Sequence, residues 1–295
     1  LVTKTVKSVI QNLENELNVK LEKVNKRYGD FELSDITFSV PKGSIVGMVG
    51  KNGAGKTTTL KAILNLISID SGKIEVLGKE YTDTQIREDI GVVFADSDFN
   101  EEYNSVKVNS LMRKIYKKWD EKYYYELCDR FEISKEKKVK EYSRGMKMKL
   151  KLCVALAHHP SLLLLDEATS GLDPIVRENV LDILFEYTEN AQHSVILSSH
   201  ITSDLERISD YILFVENGKV RFFEEKDTLL ESYAIIRCKE EDIKRIPQDI
   251  IRGTQRGNYG CDILINNQNN VPKDLITDRV SIEDIILFLS KESER

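Results

Sequence analysis

A glycine-rich segment at residues 50–58 carries the residue types needed to hold a phosphate group. It fits the pattern G-x-x-x-x-G-K-[ST], follows an apolar run and precedes a stretch with helical apolar spacing. Backbone N–H groups converge in such a turn, and the following helix N-terminus adds partial positive charge. We predict that Lys56 reaches the β- and γ-phosphates and acts in catalysis, and that the Thr57 hydroxyl binds Mg²⁺. The predicted nucleotide-binding residues here are Gly50, Asn52, Gly53, Ala54, Gly55, Lys56, Thr57 and Thr58.

A second chemical signal lies where four leucines, residues 162–165, are followed by Asp166 and Glu167. Such an unbroken apolar run is typical of a strand buried on both faces of a parallel sheet. Acids at the carboxyl end of this kind of strand face the nucleotide crevice. We predict that Asp166 holds Mg²⁺, directly or through water, and that Glu167 orients and polarises the attacking water.

Two more side chains occupy positions suited to anions. His200 ends a predicted buried strand, where a histidine can hydrogen-bond a γ-phosphate and the water beside it. Ser143 is a good N-cap, and the N–H groups that follow it form a second anion site. Since one phosphate cannot easily use two distant helix ends in one subunit, we hypothesise that a second subunit presents its Ser143 helix. The other histidines, His158, His159 and His193, are predicted to be solvated or capping.

Apolar spacing indicates the elements that must position these residues. Alternation predicts strands at residues 19–24 and 31–40, an antiparallel β patch beside a parallel core. Helical patterns dominate residues 96–159, which we interpret as a helical subdomain. Aromatic residues that crowd this subdomain are predicted to be core, with an exposed groove for a partner helix as the alternative. The fold class is therefore α/β, with a P-loop NTPase core of mixed sheet.

The two ends of the chain lie outside this core domain, residues 19–224. Residues 1–18 have the spacing of an amphipathic helix, read as a docking helix or expression-vector remnant, or alternatively as a partner-binding helix. Residues 225–295 are predicted to form a small α+β unit with strands at 234–238 and 260–265. This unit shows no catalytic constellation, so it is interpreted as a dimer-stabilising or regulatory addition, or as an inert appendage.

Composition excludes several classes of protein. The formal net charge is −6, which argues against non-specific binding of nucleic acid. The four cysteines lie far apart in sequence without a C-x-x-C, so we expect neither a zinc site nor a disulfide framework, and a reduced cytoplasmic setting. No apolar run approaches the roughly 18 residues of a membrane span, and no signal peptide is visible. Any membrane work is therefore expected to need a partner chain.

The order of these motifs resembles that of the nucleotide-binding subunits of ABC transporters, over residues 19–223. Residues 50–58 are similar to Walker A, Asp166 and Glu167 to Walker B, and His200 to the switch histidine. The resemblance extends to three further nucleotide contacts.

The first of these is Tyr28, which is similar to the aromatic that stacks on adenine; from spacing alone, packing within the small sheet is equally open. Ser143 and Gly145 lie at the signature motif, where the resemblance implies contact with the ATP of the opposing subunit. Asp173 ends residues 170–173, which are similar to the D-loop, and the resemblance implies that it contacts nucleotide.

The sequence departs from the family pattern at three places. Arg144 and Met146 replace a glycine and a glutamine of the signature, a variant similar to single-domain ATPases of bacterial drug, lantibiotic and peptide exporters. The Q-loop glutamine is absent near Ala95, so Asp96 is expected to take over part of the Mg²⁺ or water contact, or the coupling differs. Ala168 replaces a proline after Glu167, a change expected to be mild.

The resemblance implies an ATPase subunit with ATP and Mg²⁺ as cofactors, at the cytoplasmic face of the membrane. Its expected partners are a transmembrane permease and a second ATPase subunit, identical or homologous, and no nucleic acid is expected. Two subunits would close head to tail around two ATP molecules and power the export of a drug or peptide.

Two other functions are alternatives to export. A soluble ABC ATPase of translation or DNA maintenance fits less well, because the chain has one cassette and no sustained heptads between Lys56 and Asp166. A nucleotide-gated binding module with little turnover is opposed by the presence of Glu167 and His200.

Overall fold

The computed structural model describes residues 16–257, 260–267, 271–272 and 274–292. Its strands are, in chain order, β1 (Leu17–Tyr28), β2 (Phe31–Pro41), β3 (Ile45–Val49), β4 (Ser71–Val76), β5 (Lys79–Glu80), β6 (Ile90–Val93), β7 (Leu162–Asp166), β8 (Ser194–Ser198), β9 (Tyr211–Glu216), β10 (Lys219–Glu225), β11 (Ala234–Cys238), β12 (Ile251–Arg256), β13 (Cys261–Ile265) and β14 (Thr277–Asp278). Its α-helices are α1 (Lys56–Ile63), α2 (Ser105–Ile115), α3 (Glu121–Arg130), α4 (Arg144–Leu156), α5 (Pro174–Thr188), α6 (Thr202–Ile208), α7 (Lys226–Ser232) and α8 (Ile282–Glu292).

A six-stranded sheet with the order β10-β9-β3-β8-β7-β6 forms the centre of the fold. All neighbours are parallel except β10, which pairs antiparallel with β9. Every residue of β3, β7 and β8 is buried. In β7, Leu162 and Leu164 pack into the cluster on one face, while Leu163 and Leu165 pack into the cluster on the other. Burial on both faces explains why these strands are apolar throughout.

The second sheet, β2-β1-β4-β5, is antiparallel and covers one face of the central sheet together with α1. The predicted α/β class with an antiparallel patch is thus confirmed. β1 begins at Leu17, so the helix predicted for residues 1–18 is wrong at its last two positions, and its first fifteen lie outside the described residues. Asn18 is buried and donates hydrogen bonds to the Gln192 carbonyl and the Ser194 hydroxyl, both at 2.9 Å, which holds the chain in extended form.

The other face of the central sheet is covered by α2, α3 and α4, within the predicted helical segment. Each helix begins with a side-chain N-cap: Asn104, Asp120 and Ser143 accept hydrogen bonds from backbone N–H groups of the first turn. The crowded aromatics belong to the core, as predicted: Tyr124 is fully buried and its neighbours pack around it.

The C-terminal unit contains an antiparallel sheet of order β12-β13-β11-β14. Strands β11 and β13 match the predicted ones, whereas the polar β12 and the two-residue β14 were not foreseen. Helix α8 packs on α6, and its Ile282, Ile285 and Phe288 belong to the same core cluster as Leu205 and Ile208 of α6. The unit therefore shares a hydrophobic core with the central domain.

The tertiary structure corrects the prediction that His158 is solvated. His158 is fully buried rather than solvated: its ring nitrogens lie 3.3 and 3.2 Å from the carbonyl oxygens of Val154 and Ile90, and the ring stacks on Tyr116. Burial lowers the pKa of His158, although these carbonyl contacts act in the opposite direction.

The cysteines, although distant in sequence, lie close together in pairs. The neighbouring Cys153 thiol lowers the pKa of Cys128, and Cys238 is the register partner of Cys261. All four are free thiols. No helix in the described part of the chain combines the length and apolarity that a membrane crossing requires.

Candidate nucleotide-binding site

The segment 50–58 forms a tight turn between β3 and α1. Gly55 precedes α1 with φ of 112°, a conformation that favours glycine. A Cβ on Gly55 would lie 2.6 Å from the Leu33 side chain, and one on Gly50 would lie 2.2 Å from the Val215 carbonyl oxygen. Asn52 and Gly53 are exposed at the tip of the turn. The turn thus presents the N-terminus of α1 to the carboxyl edge of the central sheet, as phosphate binding requires.

Lys56 is held inside this turn rather than in solvent. Its side chain is 6% exposed, and its ammonium group donates hydrogen bonds to the carbonyl oxygens of Gly50 at 2.7 Å and Lys51 at 3.4 Å. It also lies 3.5 Å from Glu167 Oε1. The Lys56 ammonium group is therefore held between the glycine-rich turn and Glu167, the residue after β7.

Thr57, Asp166 and Ser198 form a hydrogen-bonded group beside Lys56. Thr57 Oγ1 donates to Asp166 Oδ2 at 2.7 Å, and Ser198 Oγ donates to Asp166 Oδ1 at 2.6 Å. Hydroxyl and carboxylate oxygens are the hard ligands that Mg²⁺ prefers, so the donor set fits this ion. No group of three or more His, Cys, Asp or Glu that could hold a metal ion is found among the described residues. Mg²⁺ bound through Thr57 and Asp166 would therefore take its further ligands from phosphate oxygens and water.

Glu167 joins this group to His200. Its Oε2 lies 2.6 Å from His200 Nδ1, while its buried Oε1 has no hydrogen-bond partner among the described residues. The Glu167 backbone has φ of 53°, and its N–H is held by the carbonyl and hydroxyl oxygens of Ser198 at 3.0 and 3.1 Å. Strained backbone of this kind is concentrated at functional sites. Oε1, which lies 3.5 Å from the Lys56 ammonium without a hydrogen bond, can therefore accept a hydrogen bond from a water.

The predicted signature residues lie on another surface. Ser143 is exposed, and its hydroxyl accepts a hydrogen bond from Met146 N at 3.2 Å as the N-cap of α4. Gly145 faces Leu172 of the D-loop in the same chain, and Asp173 caps α5 through Val176 N at 3.0 Å. No hydrogen bond in the described residues joins Ser143 or Gly145 to the glycine-rich turn, so one chain does not bring these two predicted anion sites together.

Tyr28 and Asp96 also lie apart from the group formed by Lys56, Thr57, Asp166 and Glu167. Tyr28 ends β1 with 45% of its surface exposed, and the Lys26 ammonium lies 5.2 Å from its ring centroid. An exposed ring of this kind can receive a flat base. Asp96 is exposed after β6, and its carboxylate makes no hydrogen bond or ion pair within the described residues. The structure therefore gives no contact between Asp96 and the Thr57–Asp166 pair.

Sequence reasoning missed two contributors to this site. Ser198 is one of them. The sequence shows only a serine in an apolar strand, and the serine matters because strand register makes it the partner of Asp166. The other is the β9–β10 turn, whose Gly218 N–H donates to the Ala54 carbonyl at 2.9 Å. A Cβ on Gly218 would lie 1.7 Å from the Glu32 carbonyl oxygen, so the same turn also packs closely against β2.

Comparisons with known proteins agree with this geometry. A family model described as ABC transporter matches residues 33–170. The chain is 34% identical over 221 residues to the ABC transporter ATP-binding protein YtrB of Bacillus subtilis, covering 74% of this chain and 76% of that protein. It is 31% identical over 215 residues to the lantibiotic transport ATP-binding protein SrtF of Streptococcus pyogenes, covering 71% and 91% respectively.

A solved structure of the ATP-binding subunit of an ABC transporter superposes with a TM-score of 0.65 and 26% identity, covering 72% of this chain and 92% of that one.

Proposed function

The chain belongs to the family of ABC transporter ATP-binding proteins and is an ATP hydrolase, and we propose that it powers export of a drug or peptide through a separate membrane subunit. The observation that carries the hydrolytic part of the proposal is the contact of Glu167, which follows β7, with both Lys56 of α1 and His200, which follows β8. Support for a peptide cargo comes from the likeness to a lantibiotic transport protein.

In the proposed reaction, Lys56 and the N–H groups of residues 50–58 bind the triphosphate, and Tyr28 stacks on the adenine. Glu167 accepts the proton of a water whose oxygen bonds to the γ-phosphorus while the bond to the β–γ bridging oxygen breaks. The products are ADP and phosphate, and the proton passes from Glu167 to solvent. His200 keeps the carboxylate oriented through its 2.6 Å contact. Bound Mg²⁺ neutralises phosphate charge, and Thr57 and Asp166 would hold it.

The exposure of Ser143 supports a site completed by a second copy. Ser143 is exposed, and its hydroxyl and the following N–H groups lie at the N-terminus of a thirteen-residue helix, where the hydroxyl also accepts a hydrogen bond from Met146 N. We assign these groups, with Gly145 and Asp173, to the ATP held by the opposing subunit. Closure of the two copies then depends on ATP, and hydrolysis removes the group that both copies bind.

An apolar groove supports docking of the permease. Leu64, Leu66, Tyr81, Phe94 and Tyr116 line a cavity of about 290 Å³ between α1 and the helical subdomain. Leu66 remains 59% exposed although it is apolar. An exposed apolar surface bordered by two subdomains suits a short helix of a membrane subunit. Such docking places the chain on the cytoplasmic face of the membrane.

The export proposal is tested by co-expression with a candidate permease in a lantibiotic-sensitive host. We expect the chain to sediment with membranes only when the permease is present, and the inhibitory lantibiotic concentration to rise. Glu167→Gln should sediment equally but give no protection. Full ATPase activity and no membrane association in the presence of the permease would instead favour a soluble ABC ATPase.

The groove is tested in the same cells. Leu66→Glu should abolish membrane association, because it places a charge on the apolar surface that would be buried. Phe185→Glu is the matched control, since Phe185 is also exposed but lies on α5, outside the groove. Equal sedimentation of both variants would refute the assignment of the groove to the permease.

A further inference from the structure

A buried lysine joins the helical subdomain to the central sheet. Lys151 lies on α4, and its side chain is only 7% exposed. Its ammonium group donates hydrogen bonds to the Phe94 and Ala95 carbonyl oxygens, both at 3.2 Å, and lies 2.9 Å from Asp98 Oδ1. All three partners belong to the loop that follows β6. Because ordering a lysine side chain costs rotamer entropy, such complete use of its three donors indicates a specific role.

The charges around this lysine are balanced by the same loop. The Asp98 carboxylate lies between Lys151 and Lys147, whose ammonium group is 3.5 Å from Oδ2. Partial burial alone would raise the pKa of Asp98, but hydrogen bonds and charges from the two lysines outweigh it and lower the pKa. The carboxylate is thus charged at neutral pH, and the loop is held to α4 by an ion pair as well as by backbone hydrogen bonds.

The position of Lys151 in the fold gives this contact its meaning. Two turns before it, α4 begins at Ser143, the group assigned to the opposing copy's ATP. The loop on its other side leaves β6, which pairs with β7, the strand that ends at Asp166. One side chain therefore connects the helix that serves the opposing nucleotide to the sheet edge that serves the chain's own nucleotide.

We propose that Lys151 is a positioning residue that couples the sheet edge of one ATP site to the Ser143 helix of the other. It touches the loop at Phe94, Ala95 and Asp98 and no residue of the glycine-rich turn among the described residues. It therefore acts on closure and turnover and not on the first binding of ATP. The inference rests on the proposed two-copy site.

The test uses Lys151→Met in the full chain, which keeps the length of the side chain but removes its charge and donors. The matched control is Lys149→Met, since Lys149 also lies on α4 and donates to one carbonyl, that of Phe131 at 3.3 Å. Lys151→Arg restores charge and donors. Each variant is measured for thermal unfolding, nucleotide affinity, turnover number and, combined with Glu167→Gln, ATP-dependent dimers on a sizing column.

We expect Lys151→Met to bind ATP as the wild type does, while dimer formation and turnover number each fall about tenfold, the scale of typical coupling between sites. Lys151→Arg should recover turnover, and Lys149→Met should match the wild type. Equal turnover in both methionine variants would overturn the proposal. A parallel loss of ATP affinity and thermal stability would also overturn the proposal, because that result is expected of a lysine with a purely structural role.

Asp98→Asn gives an independent measurement if Lys151→Met does not fold. Asp98 lies on a half-exposed loop, so its substitution should reduce turnover with little change in unfolding temperature. Unchanged turnover in this variant would contradict the coupling. The Glu167→Gln parent separates the two hypotheses: if it remains monomeric with ATP, the two-copy site is refuted and the coupling falls with it, whereas ATP-dependent dimers together with unchanged turnover of Lys151→Met refute the coupling alone.

Discussion

The carboxyl edge of the central sheet and the exposed start of α4 are two anion-binding regions built in different ways. At the sheet edge, Asp166 is 5% exposed and is hydrogen-bonded on both oxygens by Thr57 and Ser198. At the start of α4, Ser143 is exposed and bonds only within its own helix. The first region is assembled within one chain, whereas the second, by our proposal, is completed by another copy. Variants in the two regions should therefore fail in different assays.

The largest effect is expected for Glu167→Gln at the sheet edge. The amide keeps the size of the side chain but cannot accept the proton of the attacking water, so hydrolysis should fall about 10²–10⁴-fold. ATP should remain bound, and dimers should accumulate on a sizing column. Phosphate release measures the loss, and Glu189→Gln, on the exposed end of α5, is the control. Wild-type hydrolysis by Glu167→Gln would exclude this residue as the base.

The next largest effect is expected for Lys56→Ala, measured by nucleotide titration. The substitution removes a charged donor of the kind that contributes about 1.5–3 kcal/mol, so ATP affinity should fall about 10- to 150-fold. Lys61→Ala is the control, because Lys61 lies exposed on the same helix. Equal affinity of the two variants would refute the assignment of the glycine-rich turn to the triphosphate.

A smaller effect is expected at Ser143, and it should appear in steady-state turnover and not in the ATP affinity of a single chain. Ser143→Ala removes the N-cap and should lower the free energy of unfolding by about 1 kcal/mol. Ser143→Asp keeps the cap, because aspartate is an equally good N-cap, but places a negative charge beside the opposing phosphate. We expect its stability and single-chain ATP affinity to be normal and its steady-state ATPase to fall. Normal turnover of Ser143→Asp would exclude contact with the opposing nucleotide.

The smallest effect is expected for Tyr28→Ala. Loss of one aromatic face contributes about 0.5–1.5 kcal/mol, so ATP affinity should fall only about 2- to 12-fold, and Tyr28→Trp should retain it. Competition between ATP and GTP measures the role of the base, and both should weaken together because stacking does not read the base edge. A ring that merely packs against β2 would change thermal stability without changing nucleotide affinity.

The separate parts of the sheet-edge site could be predicted because they are local in sequence. Residues 50–58 specify their own turn and helix start, and the leucines of β7 place Asp166 and Glu167 at a strand end. Ser198 and Gly218 could not be predicted in the same way. Each acts through a neighbour distant in sequence, Asp166 in one case and Ala54 in the other. Strand order and register, which no local pattern reports, bring them together.

Asp96 shows what a local pattern leaves open. Its type and its place near the absent glutamine predict a metal or water contact, and because the single chain leaves its carboxylate exposed, that contact stays a prediction. The loop is instead held by Lys151, which lies more than fifty residues later in sequence on α4. Similarly, His158 was interpreted as solvated or capping, and tertiary packing buries its ring. Pairing of β11 with β13 places Cys238 beside Cys261, a neighbour relation that the sequence does not report.

By itself, the sequence determined the phosphate-binding turn, the acids after β7, the family and the α/β class, because these depend on residue types at fixed short spacing. Only the tertiary structure decided that Glu167 lies between Lys56 and His200, that α8 packs on the helix after His200, and that Lys151 joins α4 to the loop after β6. Contacts of that kind depend on which strands and helices become neighbours, and burial of apolar faces across the whole chain sets that choice.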